Sequence, residues 1–123
     1  MADAALFIGW GAVVHGREER AIEVFNETLQ YYSGLQSKRE IENFEVVLLE
    51  PHGGDLSGFA LVRGESAKLE RLRRDPEFER HTARAQLIVD NVGVVGATIG
   101  AGITRLMTTY SEEIAKVRQP VTA

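Results

Sequence analysis

The sequence predicts an α+β domain of four short strands, with a helix between the first and second, another between the third and fourth, and one more helix behind. Three observations carry this. Four short runs, at 6–14, 44–50, 59–63 and 92–99, are dense in apolar residues and flanked by turn-forming residues. Runs of that length and composition read as strands. Between them, 17–34 and 66–91 repeat apolar residues at helical spacing, as does 103–117 after the last run.

The first run places Leu6, Ile8, Trp10, Ala12 and Val14 on one face and Phe7, Gly9, Gly11 and Val13 on the other. Both faces are apolar, which is the pattern of a strand covered on both sides. Gly9 and Gly11 share a face, where they leave room for a close approach by backbone or ligand. His15-Gly16 breaks the strand and Arg17 begins a helix, with Glu18 and Glu19 at the positive end of its dipole. Ile22, Phe25, Leu29 and Tyr32 form its apolar arc. Gly34 is expected as a left-handed cap, with Leu35 folding back onto the helix.

Strands 44–50 and 59–63 form a hairpin around the loop 51–55, Pro-His-Gly-Gly-Asp. Ser66 is expected to cap a short helix holding Leu69 and Leu72. Asp75-Pro76 then restarts it, since a carboxylate suits the cap and proline the first helical position. Phe78, His81, Thr82, Ala85, Ile88 and Val89 share a face of the continuation. After Gly100-Ala101-Gly102, the residues Ile103, Leu106, Met107, Tyr110, Ile114 and Val117 predict a helix over about 102–118, which Pro120 ends.

Two β-α-β units joined by a hairpin give the ferredoxin-like topology. The crossover rule places both main helices on one face of an antiparallel sheet. The other face still carries Val, Leu, Phe, Ile and Gly. Leaving such side chains in water forgoes about 1.5–3 kcal/mol each. A second copy of the chain is the expected cover, in a homodimer or a larger homo-oligomer. The alternative is a single copy capped by its last helix.

The 123 residues, 44% apolar and 26% charged, suit one folded domain over 1–123 with its core at about 5–99. A net charge of −4 argues against nucleic acid as a partner. The basic run at 71–74 is surrounded by Glu70, Asp75, Glu77 and Glu79 and reads as a solvated face. With no cysteine, disulfides and thiolate chemistry are excluded. The first residues lack the basic start of a signal peptide, and no run approaches the ~18 apolar residues of a membrane span. A cytoplasmic location and no membrane partner are expected.

The opening strand, the helix with Phe25 and Leu29, the hairpin around Glu50-Pro51-His52-Gly53-Gly54, and above all Asp75-Pro76-Glu77-Phe78 resemble members of the dimeric α+β-barrel superfamily. The resemblance covers the chain through Ile99. It implies a dimeric barrel with a pocket between sheet and helices. Relatives of this kind include antibiotic-biosynthesis-type monooxygenases that use no cofactor, small isomerases and haem-binding enzymes, so the resemblance implies no particular reaction.

Among residues able to do chemistry, His81 faces the sheet and has the ordinary pKa for proton transfer near neutrality. Trp10 offers a flat wall for an apolar or aromatic ligand, and Tyr32 an inward hydroxyl. Asn26 lies at the edge of the same face, and Arg63, closing the third strand, is a clamp for an anion. Glu50, His52 and Asp55 are able to bind metal, but their spacing matches no fixed geometry. Val92 to Gly96 lacks the glycine pattern of a phosphate loop. The expected function is binding of a small, partly apolar molecule without metal or cofactor, as in a cofactor-independent oxygenase or an isomerase. The alternative is a non-catalytic self-assembly protein whose last helix docks a neighbour. Haem is a third option, which an absorbance scan would reveal.

Overall fold

The computed structural model describes residues 2–118. The expected end of order at Pro120 lies outside the described residues. The elements are β1 (Ala4–Trp10), α1 (Glu18–Ser37), β2 (Asn43–Leu48), β3 (Gly58–Gly64), α2 (Ser66–Arg73), α3 (Pro76–Gln86), β4 (Gly93–Thr98) and α4 (Ala101–Val117). The strands form one antiparallel sheet in the order β2-β3-β1-β4. This is the ferredoxin-like arrangement, with α4 added.

β1 starts earlier and stops sooner than its apolar run suggests. After Trp10 the chain leaves the sheet to pair with the segment that follows α3. Gly11 N donates to Asp90 O at 2.6 Å, Val14 N donates to Ile88 O at 2.8 Å, and Val13 bridges Val89. At Gly11 a Cβ would lie 2.9 Å from both Asp55 O and Asp90 O, so glycine is what admits these backbones.

α1 does not end at Gly34. It runs on to Ser37, and the left-handed residue that follows is Arg39, at φ 60°. Gly34 inside the helix costs about 0.5–1 kcal/mol relative to alanine. Burying Leu35 from the next helical position gains about 1.5–3 kcal/mol, which outweighs it. Leu35 is buried accordingly. Ser66 opens α2 as its first helical residue and is not its cap; that position is Glu65. The restart at α3 follows the expected chemistry: the Asp75 carboxylate accepts from Glu77 N at 2.8 Å, and Pro76 holds the first helical position.

Residues facing one another across the strands share a side. Leu6, Ile8, Ala60 and Val62 face the helices and pack with Tyr32, Leu35, Leu69, Leu72 and Phe78. The opposite side carries Phe7, Phe59, Leu61, Val47, Val95 and Ala97. Phe7 and Phe59 stack there with centroids 4.9 Å apart, and Val95 is 56% exposed. α4 does not cover this side. Every residue of α4 except Gly102 is exposed. The alternative of a single copy capped by its own last helix is therefore not what the structure shows.

Candidate functional site

The helix-facing side of the sheet is packed at one end and hollow at the other. A cavity of about 420 Å³ opens between α1, α3 and the sheet. That is within the size range of small-molecule sites. Its floor includes Ile8, Trp10, Val46 and Ala60; its walls include Phe25, Leu29 and Tyr32 from α1 and His81, Thr82 and Ala85 from α3. Ile22 and Leu48 also line it, yet are 64% and 67% exposed, so the mouth itself is apolar.

The cavity explains a misfit in α1. Its expected arc was Ile22, Phe25, Leu29 and Tyr32, but of these only Tyr32 is buried, while Ala21 and Val24 are buried in a separate cluster with Ile88. The large side chains on the expected arc border open space where a close-packed core was anticipated. Small residues on the facing strands make that space. Gly58 and Ala60 lie on the helix side of β3. A Cβ at Gly58 would stand 2.9 Å from Trp10 Cζ2, so glycine lets the indole lie across the strand. Trp10 in turn meets Phe25 edge-on, with centroids 6.4 Å apart.

Trp10, Tyr32 and His81 thus come together around one cavity. Asn26 and Arg63 do not join them. Asn26 is exposed on α1. Arg63 falls on the opposite side of the sheet by strand alternation, where it donates to Asn43 Oδ1 at 3.0 Å and pairs with Glu45 Oε1 at 2.8 Å. Gly9 makes no room in the cavity either: its missing Cβ would meet Phe7 and Leu56 on the outer side.

His81 is buried on α3 and stacks on Tyr31, with centroids 4.3 Å apart and planes 18° from parallel. Its Nδ1 is covered and has no hydrogen-bond partner among the described residues. Its Nε2 stands 3.6 Å from Glu77 Oε1, beyond a hydrogen bond, and Arg80 holds the other Glu77 oxygen at 3.1 Å. Burial pushes the imidazole below its ordinary 6.5, and Arg84 adds to the effect; Glu77 and Glu27 pull weakly the other way. The ring is mainly neutral at pH 7, able to accept a proton or a hydrogen bond. Burial pushes the Tyr31 phenol up to about 12 and Tyr32 further still, so both stay protonated. At the rim, backbone amides of Glu18 and Gly16 hold the Glu18 carboxyl below its usual range.

His52 is occupied with its own loop: Nε2 lies 2.7 Å from Leu56 O, and Nδ1 accepts from Gly54 N at 3.2 Å. Among the described residues no three His, Asp or Glu side chains gather as a metal site would require. Sequence reasoning missed Ile22 and Leu48 as cavity lining and Tyr31 as the ring that stacks on His81. The only available signal was Gly58 and Ala60 side by side with larger residues on the inward face of β3.

The fold defines a ferredoxin-like α+β protein, and solved structures with this fold are similar to it over most of the chain. One is a dimeric ferredoxin-like protein of unknown function from Jannaschia sp. CCS1, with TM-score 0.60 and 14% identity, covering 78% of this chain and 98% of that one. Another, from Bacteroides fragilis, is also a dimeric protein of unknown function with a ferredoxin-like fold, with TM-score 0.57 and 14% identity, covering 78% and 96%. A third is SnoaB, a cofactor-independent oxygenase from Streptomyces nogalater, with TM-score 0.54 and 19% identity, covering 80% and 95%. The likeness establishes the ferredoxin-like fold. No protein-family model matches the sequence, and no curated protein sequence does.

Proposed function

We propose that this chain is a homodimeric protein that binds a small, mostly apolar molecule between α1, α3 and the sheet. The cavity of about 420 Å³, apolar at its mouth and walls, is the observation that carries the reading. Trp10 and Phe25 would flank a flat ligand. Tyr32 and His81, with Thr28 and Thr82, are polar side chains that line it. Cofactor-independent oxygenation or isomerisation fits such a site, because both turn on moving a proton at an apolar substrate. In the oxygenase case the substrate itself supplies the electrons that reduce dioxygen. The fold shared with SnoaB supports considering this chemistry.

Pairing through the outer side of the sheet is supported by its uncovered apolar residues and by the dimeric neighbours of the same fold. We place the protein in the cytoplasm, which cell fractionation tests. Among the described residues no helix is long and apolar enough to cross a membrane. Self-assembly without catalysis is the second reading, favoured by the uncovered face of α4.

Trp10 is the only tryptophan, so its emission reports the cavity directly. Titration with a panel of neutral aromatic compounds is expected to quench or shift that emission. Ala85→Phe, which fills the cavity from α3, is expected to abolish the response. A panel without effect on the wild-type emission would sink the binding reading.

A further inference from the structure

α4 is anchored only at its start. Gly100 and Gly102 admit the backbone of the first residues: a Cβ at either would lie 2.9 Å from Ala2 O or 2.6 Å from Asp3 O. Arg105 then pairs with Asp3 at 3.4 Å. Beyond that turn the helix stands in solvent for its remaining length, out of about 25 Å in all. Its exposed large apolar side chains are Ile103, Leu106, Met107, Tyr110, Ile114 and Val117. They fall within an arc of about 100° at helical geometry, a seam wide enough for one partner helix. A helix this short is marginal in water by itself, so an uncovered seam argues for a partner.

The spacing of the seam says what that partner is. Counted from Tyr110, Ile103 and Leu106 lie seven and four positions before it, and Ile114 and Val117 lie four and seven positions after it. These five residues read the same in both directions; Met107, three positions before Tyr110, widens the seam on one side only, since Glu113 stands three positions after. A helix with such a seam is complementary to a second copy of itself running antiparallel, about a two-fold axis at its centre. Ile103 then meets Val117 of the other copy, Leu106 meets Ile114, and Tyr110 meets its own counterpart. Glu113 flanks the seam and comes within a turn of the other copy's Arg105. In its own helix Glu113 is held by Lys116 at 2.8 Å.

We propose that α4 is a self-association helix, pairing antiparallel with α4 of a second copy through a two-fold axis at Tyr110. This contact is separate from the outer side of the sheet and does not depend on it. A chain with both contacts has two distinct isologous surfaces, the arrangement from which closed tetramers are built.

Cross-linking tests the geometry cleanly, because the chain has no cysteine of its own. Under mild oxidation Tyr110→Cys is expected to form a disulfide-linked pair, while Thr108→Cys, on the far side of the helix, is not. A mixture of Leu106→Cys and Ile114→Cys chains is expected to join more readily than either with itself. Tyr110→Glu is expected to weaken this association by at least about tenfold in sedimentation, as loss of a central aromatic contact does. Circular dichroism should show the sheet and remaining helices intact. Val95→Asp, aimed at the sheet-face contact, should leave the Tyr110→Cys cross-link in place, so the two contacts fail separately. The proposal is overturned if Tyr110→Cys stays reduced. It is equally overturned if that residue joins Val95→Cys of another chain in preference to itself, since α4 would then be covering a neighbour's sheet.

Discussion

The two sides of the sheet are built from alternate residues of the same strands, yet they solve different problems. The inner side is covered by α1, α2 and α3, and around Val62 it is packed closed, with Val62 at 0% exposure. The outer side holds Phe7, Phe59, Leu61 and Val95 with no element among the described residues over them. An apolar residue in a strand shows that it seeks cover. It does not show whether the cover comes from its own chain, from another, or from a ligand. The inner side repeats the lesson on a smaller scale, since its end under Leu69 and Leu72 is filled and its Trp10 end borders a cavity.

The comparison breaks most visibly at the filled end. Leu72→Ala removes a side chain that is 5% exposed and should destabilise by about 2–5 kcal/mol, read from chemical denaturation. A loss below 1 kcal/mol would mean that the inner side is not the folding core. On the outer side, Val95→Asp should leave the folded subunit intact but weaken sheet-face pairing about 100-fold, about 2.8 kcal/mol, by analytical ultracentrifugation. Unchanged sheet-face association would show that this side needs no partner.

At the cavity mouth Ile22→Ser should change stability by no more than about 0.5 kcal/mol, despite removing a large apolar side chain, because it is 64% exposed. The same change should lower affinity for apolar probes in the Trp10 titration. A large stability loss would reveal that the mouth is packed in solution.

The smallest effect is a pH dependence. The folded state holds His81 below its ordinary 6.5 through burial and Arg84, with Glu77 and Glu27 opposing. The unfolded chain therefore binds more protons over that range, and stability rises with pH. The contribution is complete above about 6.5 and is lost as pH falls through the folded-state value. Wild-type urea midpoints should drop between pH 7.5 and 5 by more than those of His81→Gln. Equal slopes would exclude a depressed His81.

The strand runs, the helical spacing and the Asp75-Pro76 cap were local signals, and they made the fold legible. Element ends were less so. Gly34 looked like a cap because a glycine in a helix normally signals one; the burial of Leu35 decided otherwise. Trp10, Tyr32 and His81 were legible as inward residues. Asn26 and Arg63 were misplaced because a polar residue beside an apolar arc or at a strand end does not declare its side. Arg63 went to the outer side once the register set it opposite Ala5 and Asn43.

The sequence by itself determined the order of the elements, the antiparallel ferredoxin-like topology and the presence of more apolar surface than one layer of helices covers. These follow from periodicity and connection rules, which act between neighbours along the chain. Only the tertiary structure decided that α4 stands away from the sheet and that a cavity lies beneath Phe25 and Leu29. Both depend on how volumes meet across the fold, where Trp10 lies across Gly58 and Ala60 on β3 borders the space under α1. No local pattern records whether such a gap is filled.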